Sequence, residues 1–406
     1  METTTYKISD IGEVVGGGTP STANSDFWGG DIPWISPKDL TGYKSVYISH
    51  GESFLTKTGL KSGTKLLPKG TVLFSSRAPI GYVAIASNPI CTNQGFKSII
   101  CNKEIINPLF LYYYIKGNLD YIKLFGTGAT FPEISGAAMR KIKVQIPTLP
   151  TQQKIASILS TYDRLIENNT RRIRLLEQMA ENLYKEWFVR FRFPEHEKVE
   201  MVNGLPKGWE TIHIKELAQL KSGYAFKSEW FVEEGEAVAK IKDIGNILMD
   251  TSSFSYVDKE NCIKAKKFLL TTGDLTIALT GATIGKISIV PKHKGNIYTN
   301  QRLGKFFLGD KPMEKLPFLY CLFKQESMVS NIVNLSNSSS AQPNISPEQI
   351  EKIKILGNHD IISMYNKTCN PLFSNILALY SQNQLLTRQR DLLLPRLMSG
   401  KLEVKS

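Results

Sequence analysis

The sequence predicts an α+β chain: two duplicated domains separated by two long helices that pair antiparallel, the halves related by an approximate two-fold. Three observations predict this. A strand–turn–strand device, "GTVLFSSRAPIGYVAI" at 70–85, recurs as "GDLTIALTGATIGKISIV" at 273–290. Other blocks recur in the same order, with a period of about 205–210 residues, too long for a solenoid repeat. Each copy is then followed by a stretch whose apolar residues return in alternating steps of four and three.

The first domain is expected over residues 1–150. Its short β-type runs are bounded by Gly, Pro, Asn and Ser, with helical pieces such as "NPLFLYYYIKGNLDYI" (107–122) between them. "PWISPKDL" (33–40) answers "EAVAKIKDI" (236–244) in the second copy, and "TNQGF" (92–96) answers "TNQRL" (299–303). "GTGATFPEISGAAMRKIKV" (126–144) answers "NSSSAQPNISPEQIEKIKI" (337–355).

A spacer helix is expected over 151–195. Its seam runs Ile155, Leu159, Tyr162, Ile166, Asn169, Ile173, Leu176, Ala180, Leu183, Trp187, nine of the ten apolar. Such a helix from about 152 to 190 would run roughly 57 Å. The second domain is expected over 196–355, and a C-terminal spacer helix over 356–406. The second seam runs from Ile362 through Tyr365, Cys369, Leu372, Ile376, Leu379, Asn383, Leu386, Arg390 and Leu393 to Leu397. Pro371 lies within it, which predicts a kink or a late helix start. A seam needs a partner. The first helix carries the chain away from domain one, so the second must return if the seams are to meet, bringing the C-terminus back to domain one. Asn169 and Asn383 either fix the register or face solvent.

The 406 residues carry a net charge of +13, and the excess is spread over both domains. That favours a folded surface meeting a polyanion over a disordered basic arm, with a basic protein of no nucleic-acid role as the plain alternative. The start "METTTYKISD" has neither a basic opening nor an apolar run, so no secretory signal and no membrane partner are expected. Five scattered cysteines and five scattered histidines argue against zinc and for a reducing cytoplasm.

Catalytic groups are missing. There is no phosphate loop, HExxH or GxSxG. "VVGGGTP" (14–20) reads as a plain loop. "NPLF", at 107–110 and 370–373, is close to the [DNS]PP[FYW] of adenine methyltransferases, but Leu109 and Leu372 replace the second proline. Both copies read as helix starts. No cofactor is expected in this chain, which leaves the chemistry to other subunits.

A rigid spacer holding two similar basic domains apart suits DNA with two separated, different half-sites. Arg77, beside Ser76 at the first turn, is the sharpest candidate reader, since its fork fits guanine O6 and N7; a structural ion pair or a phosphate contact is equally open. The second turn offers Thr280 and Thr283. Gln94 and the pair Gln301–Arg302 could read adenine or anchor loops. Thr127 and Thr130, with Ser338 and Ser339 in the second copy, sit in small hydroxyl-rich loops suited to a backbone approach to phosphate, or to plain turns. Lys38 and Lys242 occupy matched positions, as phosphate contacts or solvated surface.

The chain resembles the specificity (S) subunit of type I restriction–modification systems. The carriers are the first strand–turn–strand, "TNQGF", "IPTLPTQQKIASIL" (146–159), "LYKEWFVRFRFPEHE" (183–197), "GLPKGWE" (204–210) and "RQRDLLLPRLMSGKLEV" (388–404), nearly the full length. Two departures stand out. The first domain lacks an "LPKGW"-type opening, and the second lacks a "PTLPTQQ" entry. The resemblance implies that each globule is a target recognition domain reading half of a gapped double-stranded DNA site. It implies that the helices set the gap and dock methyltransferase (M) subunits, typically two. Restriction (R) subunits then join, and S-adenosylmethionine, ATP and Mg act on the partners. It assigns no base-contact residue. The alternatives are a specificity subunit serving a fused methyltransferase–nuclease, a self-sufficient modification enzyme, or a coiled-coil adaptor with no DNA role.

Overall fold

The computed structural model describes residues 2–128, 130, 132–336 and 343–404. The chain divides into two compact units, Met1–Asn168 with Gln384–Ser406, and Asn169–Asn383. Each unit holds one β-rich domain and one stretch of each long helix.

In the first unit, Thr4–Lys7 pairs antiparallel with Lys143–Ile146, tying the two ends of the domain together. A single turn, Ile8–Ile11, follows and buries both isoleucines completely. The main sheet has five strands in the order Gly12–Gly16, Lys97–Cys101, Val72–Ser76, Ile80–Ala86, Tyr47–Ile48. Val72–Ser76 is buried on both faces, which is why it reads as a nearly unbroken apolar run. A smaller sheet orders Ser53–Leu55, Trp28–Ile35 and Cys91–Thr92. Helix Pro108–Gly117 begins where the first "NPLF" predicts: Asn107 Oδ1 accepts from the backbone of Leu109 and Phe110, and Pro108 fills the first turn.

The second unit repeats this plan. Glu210–His213 pairs with Lys354–Gly357, and the turn Ile214–Leu217 follows. One sheet orders Gln219–Ser222, Leu303–Phe307, Leu275–Ala278, Ile287–Ile289. The other orders Phe231–Val232, Ser255–Val257, Glu236–Ala239, Ile297–Thr299.

The central helix spans Leu149–Tyr184 and ends in a π-helical turn, Lys185–Val189. The C-terminal helix spans His359–Met398. In the first unit, Ile155, Leu159 and Leu397 enter the domain's own core, and Arg390 pairs with Asp163. The chain's end therefore completes the first domain's core, as the return of the second helix requires. In the second unit, Tyr365 donates to Ala180 O at 2.7 Å. The two seam asparagines meet: Asn169 Nδ2 donates to Asn383 Oδ1 and Gln382 Oε1, each at 3.0 Å. Low numbers on one helix face high numbers on the other, so the helices are antiparallel within each unit. Asn169 is buried and Asn383 half-buried, so the amide pair fits one alignment, and a slip of one residue would leave polar groups unsatisfied.

Two expectations, a late helix start at Pro371 and a helix opening at the second "NPLF", fail here. The C-terminal helix starts well before Pro371 and runs through it, and the second "NPLF" lies inside that helix instead of opening one. Pro371 sits on the exposed face. The carbonyl of Lys367 that it leaves unpaired therefore faces solvent, where water satisfies it.

Candidate nucleic-acid interface

The two strand–turn–strand devices carry the same three-way backbone junction at their tips. In the first domain, Ser76 N donates to Gly95 O at 2.7 Å and Ser76 O accepts from Ile134 N at 3.0 Å. In the second, Leu279 N donates to Arg302 O and Leu279 O accepts from Ile345 N, both at 3.0 Å. Three segments distant in sequence converge at each tip: the hairpin, the "TNQ" loop and the "P-x-I-S" block. Those are the blocks that recur. The bonds common to both junctions are made by main-chain groups, so exposed side chains around them are free to differ.

At the first tip they form a charged cluster. Arg77 Nη1 lies 3.4 Å from Glu133 Oε2, and Lys97 Nζ lies 3.2 Å from Glu133 Oε1. Lys97 also donates to Gln94 O at 3.3 Å, and Thr19 Oγ1 donates to Gln94 Oε1. Thr127 pairs with Glu133 through both backbone bonds, at 3.0 and 2.9 Å, which draws the start of the hydroxyl-rich loop to the cluster. Thr130 is exposed on the same loop. The structure thus brings Arg77, Gln94 and Thr127 together. Ser76 belongs to the scaffold instead: it is fully buried and its hydroxyl donates to Gly95 O. Sequence reasoning missed Thr19, Lys97 and Glu133. The signal for Glu133 was available, because "PEIS" faces "PNIS" in the repeat and the difference is a charge.

The second tip has neutral residues at the three positions that match Arg77, Lys97 and Glu133. Thr280 is bridged to Asn344, Gly304 stands where the first domain has Lys97, and Gly281 N donates to Pro343 O at 2.9 Å. Thr283, Gln301 and Arg302 are exposed around it. Ser338 and Ser339 lie outside the described residues.

Lys38 and Lys242 are surface side chains beside aspartates that do the structural work. Asp39 Oδ2 accepts from Ser36 N and Oγ, both at 2.7 Å, and Asp243 Oδ2 accepts from Lys240 N at 2.8 Å. Burial opposes the Asp39 charge, but donors from Ser36 and Glu52 outweigh it and hold its carboxyl below the usual range. At Asp243 burial prevails and the carboxyl is raised. The repeated Lys-Asp dipeptide is therefore explained by its aspartate. Lys38 is largely exposed and pairs with Glu52 at 2.9 Å, and Lys242 donates to Ser253 O.

The glycine-rich loop after Gly16 cradles no ligand. Gly17 N and Gly18 N donate to Phe96 O and Thr92 O, and a Cβ on Gly17 would sit 1.9 Å from Asn93 O. The glycines let this loop lie directly on the "TNQ" loop. Gly223 repeats the contact in the second domain, with a Cβ 2.3 Å from Thr299 O. Among the described residues, no group of three or more His, Cys, Asp or Glu could hold a metal ion. Among the described residues, no helix is long and apolar enough to cross a membrane.

The fold is thus one β-rich domain present twice, with the same junctions and different tips, each copy built on a stretch of paired long helices. The family described as "Type I restriction modification DNA specificity domain" matches residues 1–178 and 206–356. The chain is similar to the type I restriction enzyme MjaIX specificity subunit of Methanocaldococcus jannaschii, 36% identical over 98% of this chain and 93% of the relative. It is also similar to the HindI specificity subunit of Haemophilus influenzae, 26% identical over 83% and 88%. Its fold matches the crystal structure of a type I S subunit from M. genitalium, with a TM-score of 0.60 and 18% identity over 100% of this chain and 97% of that one. The chain belongs to the specificity-subunit family of type I restriction–modification systems, and its role is non-catalytic DNA recognition.

Proposed function

We propose that the domains at 1–150 and 196–355 each read one half of a gapped, asymmetric site in double-stranded DNA. The helical segments 151–195 and 356–406 set the gap and dock methyltransferase subunits, two per chain. Restriction subunits join that complex in the cytoplasm. S-adenosylmethionine, ATP and Mg act on the partners, and target adenines are methylated there. The reading groups are Arg77, Gln94, Thr127 and Thr130 in the first domain, and Thr280, Thr283, Gln301 and Arg302 in the second. Lys38 and Lys242 contact phosphate.

The observation that carries this reading is the repeated junction: one scaffold twice, with Arg77, Lys97 and Glu133 at one tip and Thr280, Asn344 and Arg302 at the other. A half-site reader needs a constant frame and a variable contact set. The test is long-read sequencing of methylated adenine in a methylation-free host that expresses the chain with its partner methyltransferase. The expected result is a bipartite gapped motif that disappears without this chain. An ungapped motif, or none, would refute it.

A further inference from the structure

We propose that both tips present a single guanidinium at the same place, delivered from opposite sides of the junction, and that this group reads a guanine in each half-site. In the first domain the guanidinium is that of Arg77, on the hairpin. The residue across from it is Gly95, and a Cβ built on Gly95 would lie 3.6 Å from Arg77 Cγ. That is ordinary van der Waals contact, with Asn93 Oδ1 at 3.0 Å and Pro37 Cγ at 3.3 Å closer, so a side chain at position 95 would lie beside the stem of Arg77.

The second domain makes the opposite choice. Its junction bond places Thr280 where the first domain has Arg77, and Arg302 where it has Gly95. The short threonine stands across from Arg302, which is exposed. The loop has been adjusted to match. Asn93 Oδ1 accepts from Gly95 N at 2.8 Å, whereas Asn300 Oδ1 accepts from Arg302 N at a longer 3.4 Å. The turn opens slightly where it must carry a side chain. Sequence comparison of the hairpins alone suggests that the second copy lost its arginine; the junction places it on the neighbouring loop. A planar fork with paired donors fits guanine O6 and N7, and threonine does not.

This inference rests on reading the domains as half-site readers, and exchange variants separate the two claims. The variants are made in the chain co-expressed with its methyltransferase, and the methylated motif is sequenced. Arg77→Thr should relax the first half-site at one G·C pair, with a discrimination loss of about 5- to 150-fold and the second half-site unchanged. Adding Gly95→Arg should restore discrimination at that same base pair. In the second domain, Arg302→Gly should relax one G·C pair of the other half-site, and adding Thr280→Arg should restore it. This second exchange places no side chain on position 95, so it decides the matter if the Gly95→Arg chain does not fold in a thermal melt.

Folded double variants that discriminate no better than the single ones would overturn the shared position. A uniform loss of binding with an unchanged motif would make the arginines phosphate contacts and overturn base reading. An unchanged motif and unchanged binding in both Arg77→Thr and Arg302→Gly would refute the placement of the reading surface at these tips, and the proposal with it.

Discussion

Replacing Glu133 by Gln removes the one carboxylate that Arg77 and Lys97 share at the first tip. Both contacts are partly solvated, with side-chain exposures of 39% for Arg77, 16% for Lys97 and 35% for Glu133. Pairs of this kind contribute about 0–1 kcal/mol each, and Gln still accepts one hydrogen bond, so stability should fall by no more than about 1 kcal/mol. The effect on DNA should be larger and of opposite sign. The tip changes from two cations and one anion to two cations. If it faces the duplex, roughly one further phosphate is neutralised, and log Kobs against log salt steepens by about 0.9. Between 50 and 200 mM salt that adds roughly a 3-fold loss of affinity beyond the parent's loss. The assay is fluorescence anisotropy of the methyltransferase-bound complex on an unrelated duplex across that salt range. Binding at low salt should tighten and the slope should steepen. Parallel slopes for parent and variant would refute the placement of this tip against DNA.

Other expectations follow from the same geometry. Asp163 and Arg390 are nearly buried, with 10% and 16% of their side chains exposed, and Tyr113 also donates to Asp163. Asp163→Asn should cost about 3 kcal/mol, a fall in melting temperature on the order of 10 °C, while the double change Asp163→Leu with Arg390→Leu should cost less; a double change that costs more would contradict a buried-charge origin. Gly17→Ala drives a methyl into Asn93 O and should destabilise by about 3 kcal/mol or prevent folding, whereas Gly16→Ala, whose Cβ meets only Lys97 Cδ at 4.0 Å, should melt within a few degrees of the parent. Burial, then the neighbouring Glu177, raises the Glu181 carboxyl. The folded chain therefore holds that proton more tightly than the unfolded chain. The associated stability is present below the unfolded value and is lost as pH rises through the folded one. Glu181→Gln should thus stabilise near about pH 7 and lose its advantage near about pH 4, seen as converging urea midpoints.

The duplication, the helix seams and the shared hairpins were legible because each leaves a periodic or repeated mark. Burial follows the first seam closely: Ile155, Leu159, Asn169, Ile173, Ala180 and Trp187 are all buried. The late start at Pro371 failed because a breaker was weighed without knowing which face it occupies. The second "NPLF" misled for a related reason: Asn and Pro open helices only where the chain before them is not already helical. Lys97 and Glu133 were missed because their meeting depends on three segments that converge only in the folded domain. The repeated Lys-Asp dipeptide drew attention to the lysine, yet the aspartate's backbone acceptors explain the repeat. The loop pair "TNQGF" and "TNQRL" did contain the Gly95-for-Arg302 exchange. Its meaning depended on knowing which hairpin residue lies opposite.

The junction explains how one scaffold can serve two different half-sites. Its bonds run between main-chain donors and acceptors, so they survive any side chain that fits at the rim. Arg77 and Gly95 in one copy, and Thr280 and Arg302 in the other, occupy that rim, and each pair holds one arginine. The glycines beneath it have no such freedom, since Gly17 and Gly223 would each drive a Cβ onto a carbonyl oxygen. Variation at the rim should therefore cost little stability. Variation one layer down changes whether the domain folds. That separation is what lets a duplicated domain diverge in target while its twin keeps the same frame.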